Sequence, residues 1–296
     1  MLIHTFRESV PPKRVAILGV SGVIGRGLTG HLKELGVLVV PVGSRDIDLL
    51  SDDAPKRLAS VLLPDDAVVV LAGIPLRLGR DEATMAKNVR MGVHICRALA
   101  HRPVAHLVYM SSDAVYPRSV EDVSESSPTG PSDPYSAMHL ERERLFLELA
   151  HCPVAVLRST QICSPYDTHD AYGPNRFIRT ARQEGRIVLF GKGEETRDHI
   201  MVEDVVAVIH GCLAHRSRGV LNVATGRSLS FAEVARLVTG QFDPRPEIEH
   251  APRRLPVTHR RFDVSAARRA FPGLSFTTLE EGVARMMRQP IAVKGW

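Results

Sequence analysis

A doubly wound α/β fold, in which helices cover both faces of a parallel sheet, is what this sequence predicts, and three observations predict it. Short β-branched runs alternate with helix-period stretches from Arg14 onward. A glycine-rich turn, Gly19-Val20-Ser21-Gly22-Val23-Ile24-Gly25, joins the first such run to the first helical pattern. The 296 residues, 44% hydrophobic and 24% charged, are enough to bury a large main core and leave chain for a smaller lobe. Regular alternation favours parallel strands, because each crossover lays a helix against the sheet.

The elements follow in order. Residues 14–18 read as a strand, 26–35 as a helix and 37–42 as a second strand. Strand, glycine turn, helix, strand is the Rossmann-like context that makes a glycine motif meaningful. Gly19 permits the tight turn, Gly22 lets backbone approach a pyrophosphate, and Gly25 lets the helix pack on the sheet. Ser21, Val23 and Ile24 complete the turn, and the helix's first N–H groups face the phosphates. After the second strand, where a carboxylate often holds an adenosine ribose, the chain offers Gly43-Ser44-Arg45. A guanidinium there matches a 2'-phosphate, which favours NADP over NAD. Asp46 or Asp48 can still reach a ribose, so NAD stays open. Residues 67–71 form the next strand, ending in Ala72-Gly73; 82–100 carry helical periodicity; 105–110 form a strand ending in Ser111-Ser112-Asp113.

Pro134 suits a helix start, and residues 135–150 read as one helix with Leu140, Leu145, Phe146 and Leu149 on an apolar face. Tyr135 and His139, four apart, project from one side. Ser112 can approach the tyrosine hydroxyl across the carboxyl edge of the sheet, where open α/β folds bind ligands. From residue 164 to 194 the regularity breaks at Pro165, Gly173, Pro174 and Gly185, with a helix over 175–183 and a strand over 187–190. Helices over 231–239, 264–270 and 279–287 complete a lobe, Ser230 capping the first. The expected division is a dinucleotide-binding domain over 1–165 and a mainly substrate-binding lobe over 166–296, with segments around 187–225 returning to the main sheet.

A net charge of +5 is spread among acidic neighbours, as in Glu141-Arg142-Glu143-Arg144, which argues against a nucleic-acid partner and suits a field that attracts phosphorylated small molecules. Four distant cysteines suggest reduced thiols. Thirteen histidines form no compact ligand motif, so no metal is expected; His169 and His199 are candidates for the cleft, with solvent exposure or ordinary hydrogen bonding the commoner outcome for such residues. No membrane-length apolar stretch or signal-peptide core is evident, so the expected location is cytoplasmic.

The chain resembles the extended short-chain dehydrogenases/reductases of the NAD-dependent epimerase/dehydratase group, which act on nucleotide-linked sugars. The likeness rests on Gly19, Gly22 and Gly25; Leu71-Ala72-Gly73; Asn88-Val89; Ser111-Ser112-Asp113-Ala114-Val115-Tyr116; the Tyr135 motif; Leu157-Arg158; Tyr172-Gly173-Pro174; Arg197-Asp198; Val202-Glu203-Asp204-Val205; and Leu221-Asn222-Val223-Ala224. It implies that Tyr135 transfers a proton while a nicotinamide exchanges hydride at the same carbon, with Ser112 orienting the reacting oxygen. It places Leu71, Ala72, Gly73 and Asn88 at the cofactor and a nucleotide sugar at Asn175, Arg179, Arg182, Arg197 and Arg261. A homodimer is also implied. Asp113 matches the acid of the 4,6-dehydratases, but Ala114 stands where those enzymes carry glutamate, which argues against that activity. The group's motif lysine is His139 here. That lysine lowers the tyrosine pKa and holds the nicotinamide ribose; a histidine keeps a hydrogen bond and supplies charge only near or below about pH 6.5. The alternative reading is a catalytically impaired dinucleotide-binding sensor or scaffold.

Overall fold

The computed structural model describes residues 1–75, 78–167, 173–253 and 255–289. His169 and Tyr172 lie outside them. From the amino end, β1 (Arg14–Leu18) leads through α1 (Val23–Glu34) to β2 (Leu38–Val42), followed by α2 (Ala54–Val61), β3 (Ala67–Val70), α3 (Glu82–His101) and β4 (His106–Ser112). A short 3-10 turn at Asp113–Val115 precedes β5 (Asp122–Val123), α4 (Pro134–Leu149), β6 (Val154–Ser159) and β7 (Gln161–Cys163). Then come α5 (Gly173–Glu184), β8 (Arg186–Phe190), β9 (Thr196–Met201), α6 (Val202–Ala214) and β10 (Gly219–Val223). The last elements are β11 (Ser228–Ser230), α7 (Phe231–Thr239), β12 (Glu247–Ala251), β13 (Arg261–Phe262), α8 (Ser265–Ala270) and α9 (Leu279–Met287).

Six parallel strands form the main sheet in the order β10-β6-β4-β3-β1-β2. The chain moves outward from β1 to β2 and then crosses back to β3, so a crevice opens above the carboxyl ends of β1 and β3. Strand alternation builds two cores. Val15 and Ile17 point with Leu28 of α1 and Val205 and Ile209 of α6 into one; Ala16 and Leu18 join Leu58, Ile95, Leu99 and Phe146 of α2, α3 and α4 in the other. All of these side chains are buried, each large aliphatic contributing about 1.5–3 kcal/mol of transfer free energy.

In the lobe, β9 lies between β7 and β11, and β8 pairs with β12. Phe177, Ile178, Ile187, Leu189, Val234, Val238 and Val283 form its core. The chain's return to the main sheet is made by α6, which packs on α1, and by β10, which pairs with β6; β8 and β9, within the same 187–225 span, pair inside the lobe. The residues before β1 are stitched to the turn after α6 through an Ile3–Arg218 bridge and the Thr5 and Phe6 N–H groups on the His215 carbonyl.

Candidate active site

At the end of β1, Gly19 has φ +94°, which disfavours any residue with a Cβ. A Cβ there would stand 2.7 Å from the Ala72 nitrogen, and one on Gly25 would stand 2.6 Å from the Gly19 carbonyl oxygen. The turn is therefore closed around its glycines, with the Leu71-Ala72-Gly73 strand end directly against it. Above it α1 begins at Val23 with Gly22 as N-cap, no side-chain cap and no acidic residue in its first turn. Ser21 is exposed, its carbonyl accepting a bond from Arg26 Nε at 2.9 Å, while Ile24 packs inward on the core. Asn88 is fully buried; it accepts from the Ile74 N–H at 2.7 Å and donates to the Ile74 carbonyl at 3.2 Å, so it holds the loop that follows Gly73.

At the end of β2, Ser44 and Arg45 are exposed. The nearby carboxylates are engaged in turns: Asp46 accepts from the Gly43 N–H at 2.8 Å and Asp48 from the Leu50 N–H at 3.0 Å. Arg57 of α2 reaches the same loop, donating to the Asp46 carbonyl at 2.5 Å.

A capping box places Tyr135. Asp133 caps α4 by accepting from the Ser136 N–H at 2.9 Å, Ser136 Oγ faces the Asp133 N–H in return, and Pro134 occupies the first turn. Tyr135 thus projects from the second helical position toward the carboxyl end of β4. Burial pushes its phenol up to about 12; the neighbouring Ser112 hydroxyl and the charge of Arg142 pull down, while Asp113 and Asp133 add to the rise. The His139 ring meets the Tyr135 ring edge-on, centroids 4.6 Å apart at 79°. His139 Nδ1 lies 2.8 Å from the Tyr109 hydroxyl of β4. Burial, seconded by Arg142, pushes His139 down to about 3. The expectation that His139 gains charge near pH 6.5 is thereby corrected: the imidazole is neutral throughout the working range, because its ring is enclosed between β4 and α4.

Below this row a buried network ties α4 to the sheet. Glu143 accepts from Arg158 Nη2 of β6 at 2.7 Å and from Ser111 Oγ at 2.5 Å, and Arg158 also donates to the Tyr116 hydroxyl at 2.9 Å, which donates to Asn222. On the lobe side, burial pushes Asp113 up to about 6 against the pull of Arg260 and Arg197. Arg197 is anchored on the Thr258 carbonyl and hydroxyl at 2.8 and 2.6 Å. Arg260 donates weakly to the Tyr116 and Pro117 carbonyls, and its buried Nη1 has no protein partner among the described residues.

Ser112, Asp113, Tyr135 and His139 thus converge, with Arg197 facing Asp113. Arg261 does not join them: it is exposed and paired with Asp122 at 2.7 Å and Glu121 at 3.3 Å, while its neighbour Arg260 faces the cleft. Asn175 of α5 donates to the Ser164 carbonyl at 2.5 Å with its buried Oδ1 unpartnered among the described residues, and Arg179 is half-buried on the same helix. Arg182 instead binds the Met287 and Gln289 carbonyls after α9. His199 is buried against Phe231 in the lobe. No sequence motif marks Tyr109, Arg142 or Arg260 as part of the site. Tyr109 was findable in principle, since a tyrosine in a buried strand needs a partner for its hydroxyl.

Residues 15–224 match the NAD dependent epimerase/dehydratase family. Among curated proteins, an "Uncharacterized UDP-glucose epimerase YtcB" of Bacillus subtilis (strain 168) is 25% identical over 247 residues, 79% of this chain and 77% of that protein. Among solved structures, MoeE5 in complex with UDP-glucose and NAD superposes with a TM-score of 0.79 at 25% identity, covering 93% of this chain and 97% of its own. RMD from Pseudomonas aeruginosa, complexed with NADPH, shares the fold at a TM-score of 0.80 and 23% identity, covering 93% and 98%.

Proposed function

Because the chain belongs to the NAD dependent epimerase/dehydratase family, we propose that it is an NAD(P)-dependent oxidoreductase or epimerase acting at a hydroxyl or 4-keto centre of a nucleotide-activated sugar. The observation that carries this reading is the placement of Tyr135 by the α4 capping box toward Ser112 and Asp113 at the end of β4, on the same sheet edge as the glycine turn, with burial holding its phenol protonated. The turn fits a dinucleotide. A Cβ on Gly22 would meet only the Gly19 carbonyl, at 3.5 Å, so the space over the first N–H groups of α1 is open to a diphosphate. When bound, a nicotinamide dinucleotide supplies or accepts hydride at the sugar carbon. In the reducing direction Tyr135 gives its proton to the carbonyl oxygen and Ser112 holds that oxygen by a hydrogen bond. His139, with Nδ1 taken by Tyr109, keeps Nε2 for a ribose hydroxyl. Arg197 and Arg260, with Asn175 and Arg179 on α5, are the groups suited to a sugar diphosphate, and Asp113 between the two arginines suits a sugar hydroxyl.

NADP is the preferred form on this reading. Asp46 and Asp48 are engaged in turn hydrogen bonds, whereas Arg45 stands exposed with Arg57 nearby, a pair of guanidiniums suited to a 2'-phosphate. A second reading, a dinucleotide-binding sensor or scaffold, is favoured by one observation, the uncharged His139.

The test is titration of NADPH and NADH, followed by nicotinamide fluorescence with a panel of nucleotide sugars and their 4-keto forms. Tyr135→Phe is expected to lower turnover by about 10²–10⁴ while cofactor affinity stays within about threefold. Undiminished turnover in that variant would overturn the role of Tyr135. Tight binding with no turnover in the wild type would favour the second reading.

A further inference from the structure

We propose that Arg142 supplies the fixed positive charge absent from position 139, acting as a positioning residue on Tyr135 through Tyr109 and His139; this rests on Tyr135 being the proton-transfer group. Arg142 lies three residues beyond His139 and seven beyond Tyr135, on the same face of α4. It is 2% exposed and heads the fully buried side chains by volume.

Its surroundings are unusual for a buried cation. Nη1 donates to the Ala72 carbonyl at 2.9 Å, whereas Nε and Nη2 have no hydrogen-bond partner among the described residues. The adjacent Glu143 is committed to Arg158 and Ser111, and no ion pair of Arg142 occurs among the described residues. The guanidinium instead stands 5.0 Å over the Tyr109 ring and 5.7 Å from the Phe146 ring. Two glycines leave room for it: a Cβ on Gly92 would press on its Cγ at 3.3 Å, and one on Gly73 would come within 3.5 Å of Nη1. With no carboxylate beside it among the described residues, a guanidinium here costs more to bury than an apolar side chain of similar length would.

The arrangement divides two roles between two side chains. Among the described residues Tyr109 has one hydrogen-bond partner, His139 Nδ1, so its O–H donates there and leaves the imidazole as the neutral Nε2–H tautomer. Arg142 carries the charge. Its field favours the ionised form of Tyr135 and of Tyr109 and opposes protonation of His139. The other groups facing Tyr135 are Ser112 and Asp113 from the end of β4 and Asp133 at the start of α4.

The experiment reads the phenol directly, without turnover. Tyrosinate absorbance is titrated in the NADPH-bound protein, and the same titration of Tyr135→Phe is subtracted to isolate Tyr135. Arg142→Met is expected to raise the Tyr135 midpoint by about one unit, Arg142→Lys to hold it within about 0.3 unit, and Arg142→Met with His139→Lys to bring it back. A folded Arg142→Met whose midpoint matches wild type overturns the proposal, since a merely structural arginine would change melting temperature and not the phenol. Should Arg142→Met not fold, Arg142→Gln is read in the same way. If neither neutral variant folds, a wild-type midpoint in Arg142→Lys supports the proposal and a displaced one overturns it. A shifted midpoint in a protein that turns over no sugar would leave the charge assignment standing and remove the enzymatic reading.

Discussion

At position 139 histidine and lysine differ chiefly in what burial does to a charge. Enclosed between Tyr109 and Tyr135, the imidazole is neutral down to about pH 3, so it can order a hydrogen bond and nothing more. The charge that the sequence lacks at 139 is found one turn later, a placement that no motif encodes because it depends on β3 and α3 making room with Gly73 and Gly92. The arginines near the lobe show a related limit. Arg260 and Arg261 are adjacent, but extended chain alternates its faces, and Arg260 is buried on the same side as core residue Phe262 while Arg261 meets Asp122 in solvent. A single sequence shows the pair of arginines and not the phase of the strand. Arg45 is the residue whose reading is simplest to test. Arg45→Asp is expected to move the NADPH-to-NADH affinity ratio toward NADH by about ten- to a hundredfold, the loss of charge-assisted hydrogen bonds to a phosphate. An unchanged ratio by titration would show that Arg45 does not contact the 2'-phosphate.

Among the elements, α4 bears the most weight because its first turn presents Tyr135, its second His139 and its third Arg142 and Glu143. Its position against the sheet is set by the buried Glu143–Arg158 pair, side chains 3% and 8% exposed. Glu143→Ala leaves Arg158 buried with only the Tyr116 hydroxyl, and a loss of about 3–5 kcal/mol is expected in denaturant unfolding; a loss below about 1 kcal/mol would mean that packing alone holds α4. The capped and strongly periodic elements are legible: α4 spans 134–149 against an expected 135–150, α7 begins where its Ser230 cap puts it, and α9 covers the expected 279–287. Two helices of the main unit carry no clear mark in the sequence. The α6 segment Val-Glu-Asp-Val-Val-Ala-Val-Ile is apolar nearly all round because it is buried between the sheet and α1, and continuous apolar runs do not distinguish helix from strand. In α2 the start Asp53-Ala54-Pro55-Lys56 is polar and short, so tertiary contact with α3 decides it.

For the molecule as a whole, buried neutral histidines set the acid side of stability. His139 and His199 are held down to about 3 and His106 to about 4, each by burial first. Unfolded, each would titrate near 6.5, so below that pH the unfolded chain binds more protons and stability falls as pH falls. Asp113 acts oppositely: raised to about 6, it favours the folded state at low pH and loses that contribution as pH rises. Three groups against one leave a net loss on the order of 3 kcal/mol between about pH 7.5 and 5.5, measurable by urea unfolding at both ends. Equal stability at the two values would contradict the burial of these rings as neutral species. The order of the strands has a further consequence. The chain leaves the main sheet after β6, builds lobe strands, and re-enters through α6 and β10. A polypeptide cut near residue 165 would lose both the strand along one side of β6 and the helix roofing α1, and would offer the backbone of Val154–Ser159 as a template for strand addition by another molecule. The two halves of the chain are thus not modules to be exchanged; they are laced into one sheet, and recombination between relatives would have to spare the stretch from β6 to β10.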